Sequence, residues 1–401
     1  VRVLVVNNFV RHGSGIDACV GIEQRVLAAR GHDVVLLRRD NRDFEAARGL
    51  KHAAFLAATP YSLSVWLEME RLLRRQRIDV VHLHNLVPFV TGAVYDVCRQ
   101  HGVPTVQHLH NYRAFCLSSY AYRGGHRCHD CSTTAFAACA VYRCYRDSYA
   151  ASAGLVAARW VDWARGRRSG YGAGSYIANS AYTASRHVDH GMPADAVRVV
   201  HNPAEDLGAL QGVSPRGSAG PAVEPALTFV GSLIAAKGPW VALDLAAALP
   251  EFRVRFVGAG SDEQALRQAV RQRRLTNVEF LGPLCGAAKA AAWADSFLTL
   301  APSLWDEPFG IVVPESYSLG VPVMATAAGG LTETVVDGET GIVLDVQRLD
   351  QAAARVRKLW HDRPRYQAMR GAARGAYETR FGEEIFARRL EELLLAAAGQ
   401  R

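Results

Sequence analysis

Phe229-Val230-Gly231-Ser232-Leu233-Ile234-Ala235-Ala236-Lys237-Gly238 reads as a short apolar strand, a glycine turn and a lysine at the start of a helix. Helix N–H groups beside a lysine point charge suit a diphosphate. Its strand, Leu227–Val230, is followed by similar apolar runs at Arg253–Val257, Val278–Leu281, Ser296–Leu300, Pro322–Ala325 and Gly341–Leu344. The first half repeats the pattern at Val1–Val6, Asp33–Leu37, Asp79–Leu83, Pro104–Leu109, Ser175–Ala178 and Val197–Val200. Stretches of helical period, such as Ile22–Arg30 and Leu63–Arg77, lie between several of these runs. Buried strands alternating with helices indicate parallel βαβ units. The fold class expected is α/β, with two doubly wound domains and no solenoid repeat.

The chain has 401 residues, which suits two domains at roughly 100–200 residues each. The domains are expected at 1–204 and 225–379, with a helix at 380–401 closing back on the first. Residues 205–224, rich in Gly and Pro (Gly208, Gly212, Pro215, Gly217, Gly220, Pro221), read as the linker. The composition is 49% hydrophobic and 21% charged, which excludes a disordered or fibrous chain. No apolar run approaches the ~18 residues of a spanning helix, and Val1–Val6 reads as a first strand rather than a signal peptide. The expected location is the cytoplasm, with peripheral contact at the inner face of a membrane. The net charge of +8 is almost all arginine, since only Lys51, Lys237, Lys289 and Lys358 are lysines. It does not by itself call for a nucleic-acid partner.

In open parallel sheets, ligands bind beyond the carboxyl ends of the strands. Four segments fall there: Asn7–Gly15, His110-Asn111-Tyr112, Gly231–Gly238 and Ala301–Gly310. The last leads into Trp305-Asp306-Glu307-Pro308-Phe309-Gly310-Ile311-Val312-Val313-Pro314-Glu315, where two glutamates stand seven residues apart around a Pro-Phe-Gly turn. Glycine there allows main-chain N–H groups to approach a ligand. Two carboxylates can accept charge-assisted bonds from hydroxyls at opposite ends of an extended ligand. Taken alone, the pair reads preferably as a solvated helix glutamate, Glu315, and a partner of the helix dipole, Glu307.

Gly231…Lys237-Gly238 and Glu307–Glu315, with Val257-Gly258-Ala259-Gly260, Phe280-Leu281-Gly282 and Gly329-Gly330-Leu331-Thr332-Glu333, resemble the donor domain of family 4 retaining glycosyltransferases. The first half is similar to that family's acceptor domain, through Gly15, Arg30-Gly31-His32-Asp33-Val34, Asp79–His84 and His108–Arg113. The resemblance implies the GT-B architecture, two Rossmann-like domains facing each other across a cleft. It implies that Glu307 contacts hydroxyls of the transferred sugar and that Glu315 contacts the nucleotide ribose. Main-chain groups of Phe309, Gly310 and Ile311 would lie against sugar and diphosphate, and Lys237 and Ser232 would lie at the diphosphate. His110 takes the active-site histidine position, and Gly15 approaches the donor phosphates. His110, Glu307 and Lys237 would carry the catalysis. The chain departs from the family at Ser232, where an arginine is usual, and at Ser14-Gly15 and Asp17, in place of Gly-Gly and Glu.

The implied reaction moves a hexosyl-type sugar from a nucleotide-diphosphate sugar to a hydroxyl acceptor, lipid-linked, saccharide or small-molecule, with retention. No carboxylate is placed as a nucleophile, so a front-face route with positioning and leaving-group stabilisation is expected. Asp-x-Asp is absent from the sequence, which argues against a metal-bridged donor and for metal-independent chemistry. The rival functions are a nucleotide-sugar epimerase of the same fold and a zinc-containing nucleic-acid binder. The second leaves Glu307–Glu315 and Lys237 unexplained, so no nucleic-acid partner is expected.

Two features lie outside this scheme. Cys128, Cys131, Cys139 and Cys144 follow C-x2-C-x7-C-x4-C, with Cys116 nearby. Three readings stand: a structural zinc held by the four thiolates, reduced packing cysteines, or a disulfide. Arg143–Arg168 mixes arginines with Tyr145, Tyr149, Trp160 and Trp163. It reads either as a basic helix on an anionic membrane or, preferably, as tryptophans packed on the sheet with arginines in water.

Overall fold

Val3 through Asn8 are buried without a break, as a strand covered on both faces requires. Arg2–Phe9 is β1, and it pairs in parallel with β2 (Asp33–Asp40) and β3 (Val80–Leu83). β4 (Thr105–Leu109), β5 (Ser175–Ala178) and β6 (Val197–Val199) complete a sheet of order β2-β1-β3-β4-β5-β6. Its helices are α1 (Gly15–Ala29), α2 (Leu63–Arg75), α3 (Ala93–Gln100), α4 (Tyr149–Ala164) and α5 (Ala181–Asp189). Ser62 caps α2, its hydroxyl accepting from the Val65 N–H at 3.4 Å.

The second sheet is built from β7 (Ala226–Val230), β8 (Arg253–Val257), β9 (Val278–Gly282), β10 (Ser296–Ala301), β11 (Val323–Thr326) and β12 (Gly341–Leu344). All pairs are parallel, in the order β9-β8-β7-β10-β11-β12. The order reverses between β7 and β10, which opens the crevice where such sheets bind ligands. Around it lie α6 (Pro239–Ala248), α7 (Glu263–Gln272), α8 (Gly286–Ala294), α9 (Val312–Ser318), α10 (Leu349–His361) and α11 (Arg363–Ala376). Phe229, Phe252, Phe256, Leu243, Leu245 and Leu298 fill one face of this sheet.

The computed structural model describes residues 1–9, 15–42, 58–132, 135–167, 171–210 and 225–399. They divide into one unit of Val1–Arg123, Cys128–Asn202 and Glu383–Arg401, and a second of Gly124–Arg127 and Pro203–Gly382. The last helix, α12 (Glu383–Ala398), lays Phe386, Leu390 and Leu394 against Val3, Val5, Val20 and Val80 of the first unit. Each fully buried aliphatic contributes about 1.5–3 kcal/mol. Glu391 adds an ion pair to Arg30 at 2.6 Å and a hydrogen bond with His32 at 2.7 Å.

All twelve expected strands are present. Of the stretch read as a linker, residues 205–210 pack into the second unit: Asp206 pairs with Arg374 at 2.8 Å and Leu207 is buried. Residues 211–224 lie outside the described residues, as do 10–14, which belong to the expected loop after β1 and include Ser14.

The segment Arg143–Arg168 corrects the expectation. Its helix is α4, and Arg143 and Arg146 precede it in turns of positive φ. Trp160 and Trp163 are 56% and 41% exposed, whereas Arg159 and Arg167 are 7% and 5% exposed. The tryptophans do not pack on the sheet. Arg167 goes inside because Asp96 and Asp162 are there to receive it, at 2.7 Å each. A buried charge needs such partners. Arg168 lies outside the described residues.

Candidate functional site

In the second unit the chain leaves β7 through Gly231, makes a short turn at Ala235–Lys237, and enters α6 through Gly238. Gly238 has φ +71°, and a Cβ there would lie 1.9 Å from the Pro302 carbonyl oxygen. Only glycine lets the segment after β7 touch the segment after β10. That contact brings Lys237 to Glu307 across the point where the strand order reverses.

Glu307 is buried, and three donors converge on its Oε1: Ser303 Oγ at 2.6 Å, Lys237 Nζ at 2.6 Å and Trp305 Nε1 at 3.0 Å. Its Oε2 has no hydrogen-bond partner among the described residues. The main chain of Glu307 is fixed by a bridge to Gly329 and by the Gly330 N–H, which donates to its carbonyl at 2.7 Å. A Cβ on Gly329 would fall 2.3 Å from that same carbonyl oxygen, so the glycine pair belongs to the holding of Glu307.

Phe309 turns its ring into the core against Phe381, leaving its main chain at the turn before α9. Gly310 has φ +79°, and Ile311 caps α9. Glu315 sits in the first turn of α9 and pairs with Lys289 of α8 at 2.7 Å. Ser232 is exposed beside Gly231. The second unit thus gathers Ser232, Lys237, Glu307, Phe309, Gly310, Ile311 and Glu315 on the loops after β7 and β10 and on α9. Sequence reading did not assign Lys289, Ser303 or Trp305. The scarcity of lysine was a usable signal for the first.

Gly15 and His110 belong to the first unit. Gly15 opens α1. His110 is buried just beyond β4, and its Nε2 lies 2.9 Å from His84 Nδ1. Residues two apart on a strand share a face, so His82 and His84 at the end of β3 meet His108 and His110 at the end of β4, with ring centroids 4.1–5.8 Å apart. Glu23 of α1 closes the group, with Oε1 2.6 Å from His82 Nδ1 and Oε2 2.7 Å from His84 Nε2. Burial alone would push the Glu23 carboxyl up, but His82 and His84 hold it well below the usual carboxylate range. Burial lowers the pKa of His84, and lowers those of His108 and His110 much further.

His84 Nδ1 and His110 Nε2 share one hydrogen at 2.9 Å, and His110 Nδ1 is buried without a hydrogen-bond partner. The His-x-His pairs announce this cluster in the sequence, but nothing there announces Glu23.

Two sets of three ligand-type side chains converge among the described residues: Glu23 with His82 and His84, and Cys19 with His108 and His110. In the first set, the 2.6 Å separation of His82 Nδ1 and Glu23 Oε1 suits a shared proton, whereas ligands on a tetrahedral zinc stand about 3.3 Å apart. No three sulfurs of Cys116, Cys128, Cys131, Cys139 and Cys144 come within 4.8 Å of one another. All five are free thiols, and Cys139 is buried against Leu117, Phe136 and Leu155. Burial, reinforced by neighbouring thiols, pushes Cys131 up to about 11 and Cys139 to about 12.

Comparison with known proteins follows the same division. Residues 216–376 match the family described as "Glycosyl transferases group 1", and residues 23–206 match "Glycosyltransferase Family 4". A D-inositol 3-phosphate glycosyltransferase of Streptomyces scabiei is 32% identical over 241 residues, 55% of this chain and 53% of that protein. One of Arthrobacter sp. is 27% identical over 80% of this chain and 71% of that protein. Among solved structures, Anabaena HepE with UDP and glucose aligns at a TM-score of 0.69 and 18% identity, covering 98% of this chain and 99% of that one. Sucrose-phosphate synthase from Thermosynechococcus elongatus aligns at 0.71 and 16% identity over the whole of both chains. At such identities the likeness shows the fold, two Rossmann-like domains of GT-B type.

Proposed function

This chain belongs to the family 4 glycosyltransferases, and on that premise we propose that it transfers a hexosyl-type sugar from a nucleotide-diphosphate sugar to a hydroxyl acceptor with retained configuration. The observation that carries the reading is the Lys237–Glu307 pair at the strand reversal, with Glu315–Lys289 beside it. Glu307 keeps Oε2 for the sugar hydroxyls, because its other oxygen is saturated. Glu315 takes the ribose, and main-chain groups of Phe309, Gly310 and Ile311 line the path between the two glutamates. Lys237 turns from Glu307 toward the diphosphate as negative charge develops on the leaving group. Gly15 approaches the phosphates, Ser232 lies near them, and the unpartnered Nδ1 of His110 meets a hydroxyl.

The acceptor is a saccharide, a lipid-linked saccharide or a small molecule; relatives named for D-inositol 3-phosphate support a small polyol. No helix among the described residues is long and apolar enough to cross a membrane. Exposed Tyr149, Trp160 and Trp163 on α4 support peripheral contact with the inner face of a membrane from the cytoplasm. No cofactor is needed for the chemistry. A structural zinc at Cys128, Cys131, Cys139 and Cys144 remains a proposal supported by the gathering of thiols, and it requires the sulfurs to close to about 3.8 Å.

The test is a thermal-shift panel of nucleotide sugars followed by product mass spectrometry with and without acceptor. A ligand at 100 times its Kd should stabilise by about 2.7 kcal/mol. Product formed only with acceptor supports transfer, and an isomerised sugar from donor alone would support the epimerase.

A further inference from the structure

Within the first unit, a cavity of about 130 Å³ opens beyond the ends of β3 and β4, between α3 and α4. His110 lines it, together with Gln107, Arg113, Arg159, Asp162 and His187. Arg113 is the unusual member. Its Nη1 donates to the Leu117 carbonyl at 2.7 Å, and its guanidinium lies 5.4 Å from the Tyr145 ring centroid. Its Nε is buried with no partner, and no carboxylate forms an ion pair with it among the described residues. A guanidinium whose Nε has lost water and which has gained no counter-charge is costly unless an anion completes it. Burial accordingly lowers its pKa.

The acidic groups nearby are already committed. Asp162 Oδ1 receives Arg167 Nε at 2.9 Å and Nη2 at 2.7 Å. Asp96 receives Arg167 at 2.7 Å, Arg99 at 2.8 Å and Arg165 at 3.3 Å. The histidines on the wall add no positive charge near neutral pH, since burial holds His110 well down and His187 at about 4. The cavity therefore carries a net positive field, with Arg113 lacking a counter-charge. With Nη1 on the Leu117 carbonyl, the rest of the guanidinium has no carboxylate among the described residues, and a guanidinium can take two oxygens of one phosphate or carboxylate.

We propose that this cavity is an acceptor subsite for an anionic group, a phosphate or carboxylate carried by the acceptor, with Arg113 as its counter-charge. The inference rests on the transferase reading above and names the acceptor's chemical class. It places the acceptor's charged end beside His110, at the same strand ends.

The experiment uses the full chain and inorganic phosphate as probe, with a saturating nucleoside diphosphate present so that the donor's phosphate sites are filled. UDP, GDP and ADP are each tried. Wild type should show a saturable rise in Tm with phosphate. Arg113→Gln should weaken that response at least tenfold while leaving the nucleoside diphosphate's own shift unchanged, which also reports that the variant is folded. Arg113→Lys, which returns the charge without the fork, should fall between them, and it serves as the test if the Gln variant does not fold.

Phosphate binding indifferent to Arg113, or absent from wild type while the nucleotide shift is intact, overturns the subsite. Loss of the nucleotide shift in wild type would instead sink the transferase reading. A parallel arm with phosphatidic acid vesicles separates the sources. Arg113-dependent sedimentation assigns a lipid-borne phosphate, and a soluble phosphate response without it assigns a soluble acceptor.

Discussion

Glu307→Gln keeps the shape of the side chain and removes its charge. Ser303, Lys237 and Trp305 all donate to Oε1, so the amide must place its carbonyl oxygen there and turn its NH2 to where Oε2 stood. A sugar hydroxyl that donated to Oε2 then meets a donor. A hydrogen bond to a charged group contributes about 1.5–3 kcal/mol. At about 1.36 kcal/mol per tenfold in rate, kcat/KM should fall about 10- to 150-fold. The nucleotide end at Glu315 and Lys289 is untouched, so the thermal shift given by the nucleoside diphosphate should match wild type. Steady-state transfer with the donor selected by the panel, beside that thermal shift, reads both quantities. A variant with wild-type kcat/KM would refute an Oε2 facing the sugar. One that also lost the nucleotide shift would refute the division of labour between the two glutamates.

Lys237→Ala leaves Glu307 held by Ser303 and Trp305, so its effect isolates the charge: kcat should drop ~10²–10³-fold, more than donor KM rises, with Lys237→Arg recovering part. Glu315→Ala should weaken nucleoside diphosphate binding in calorimetry more than it slows turnover at saturating donor. Acid should destabilise the first unit, because His187 titrates at about 4 when folded and near 6.5 when unfolded. The unfolded chain binds more protons in that window, so stability is full near neutral pH and falls between pH 6.5 and 4, by about 3 kcal/mol for His187. His187→Gln should flatten the urea midpoint against pH there, and an unchanged slope would contradict the assignment. Metal analysis should return about one zinc per chain if the four thiolates bind it; thiols that all titrate freely, without zinc, would leave only their packing role.

The twelve strands were legible because a buried parallel strand must be apolar on both faces, and that requirement is written into consecutive residues. The same holds for α12, whose apolar stripe at helical spacing marks a buried face. The loop residues Lys237, Glu307 and Glu315 were legible for a related reason: a ligand-binding turn after a strand needs glycine at fixed places, and Gly231, Gly238 and Gly310 punctuate it. Where local pattern and tertiary demand diverge, the reading failed. Trp160 and Trp163 look like core and stand in water, while Arg159 and Arg167 look like surface and lie inside.

The order of the strands along the chain, the apolar interiors of two sheets and the identity of the residues at the strand ends are written in the residues themselves. Partnership is not written there. Tertiary structure decided that Lys237 meets Glu307 70 residues away, that Lys289 meets Glu315, and that Glu23 closes on His82 and His84. It also decided that Arg113 lines its cavity with no carboxylate beside it among the described residues. The reason is physical: apolar burial is non-directional and follows from composition and period, so it survives translation into a one-dimensional pattern. A buried charge is settled by whichever groups come within about 3 Å of it, and only the folded chain brings those groups together.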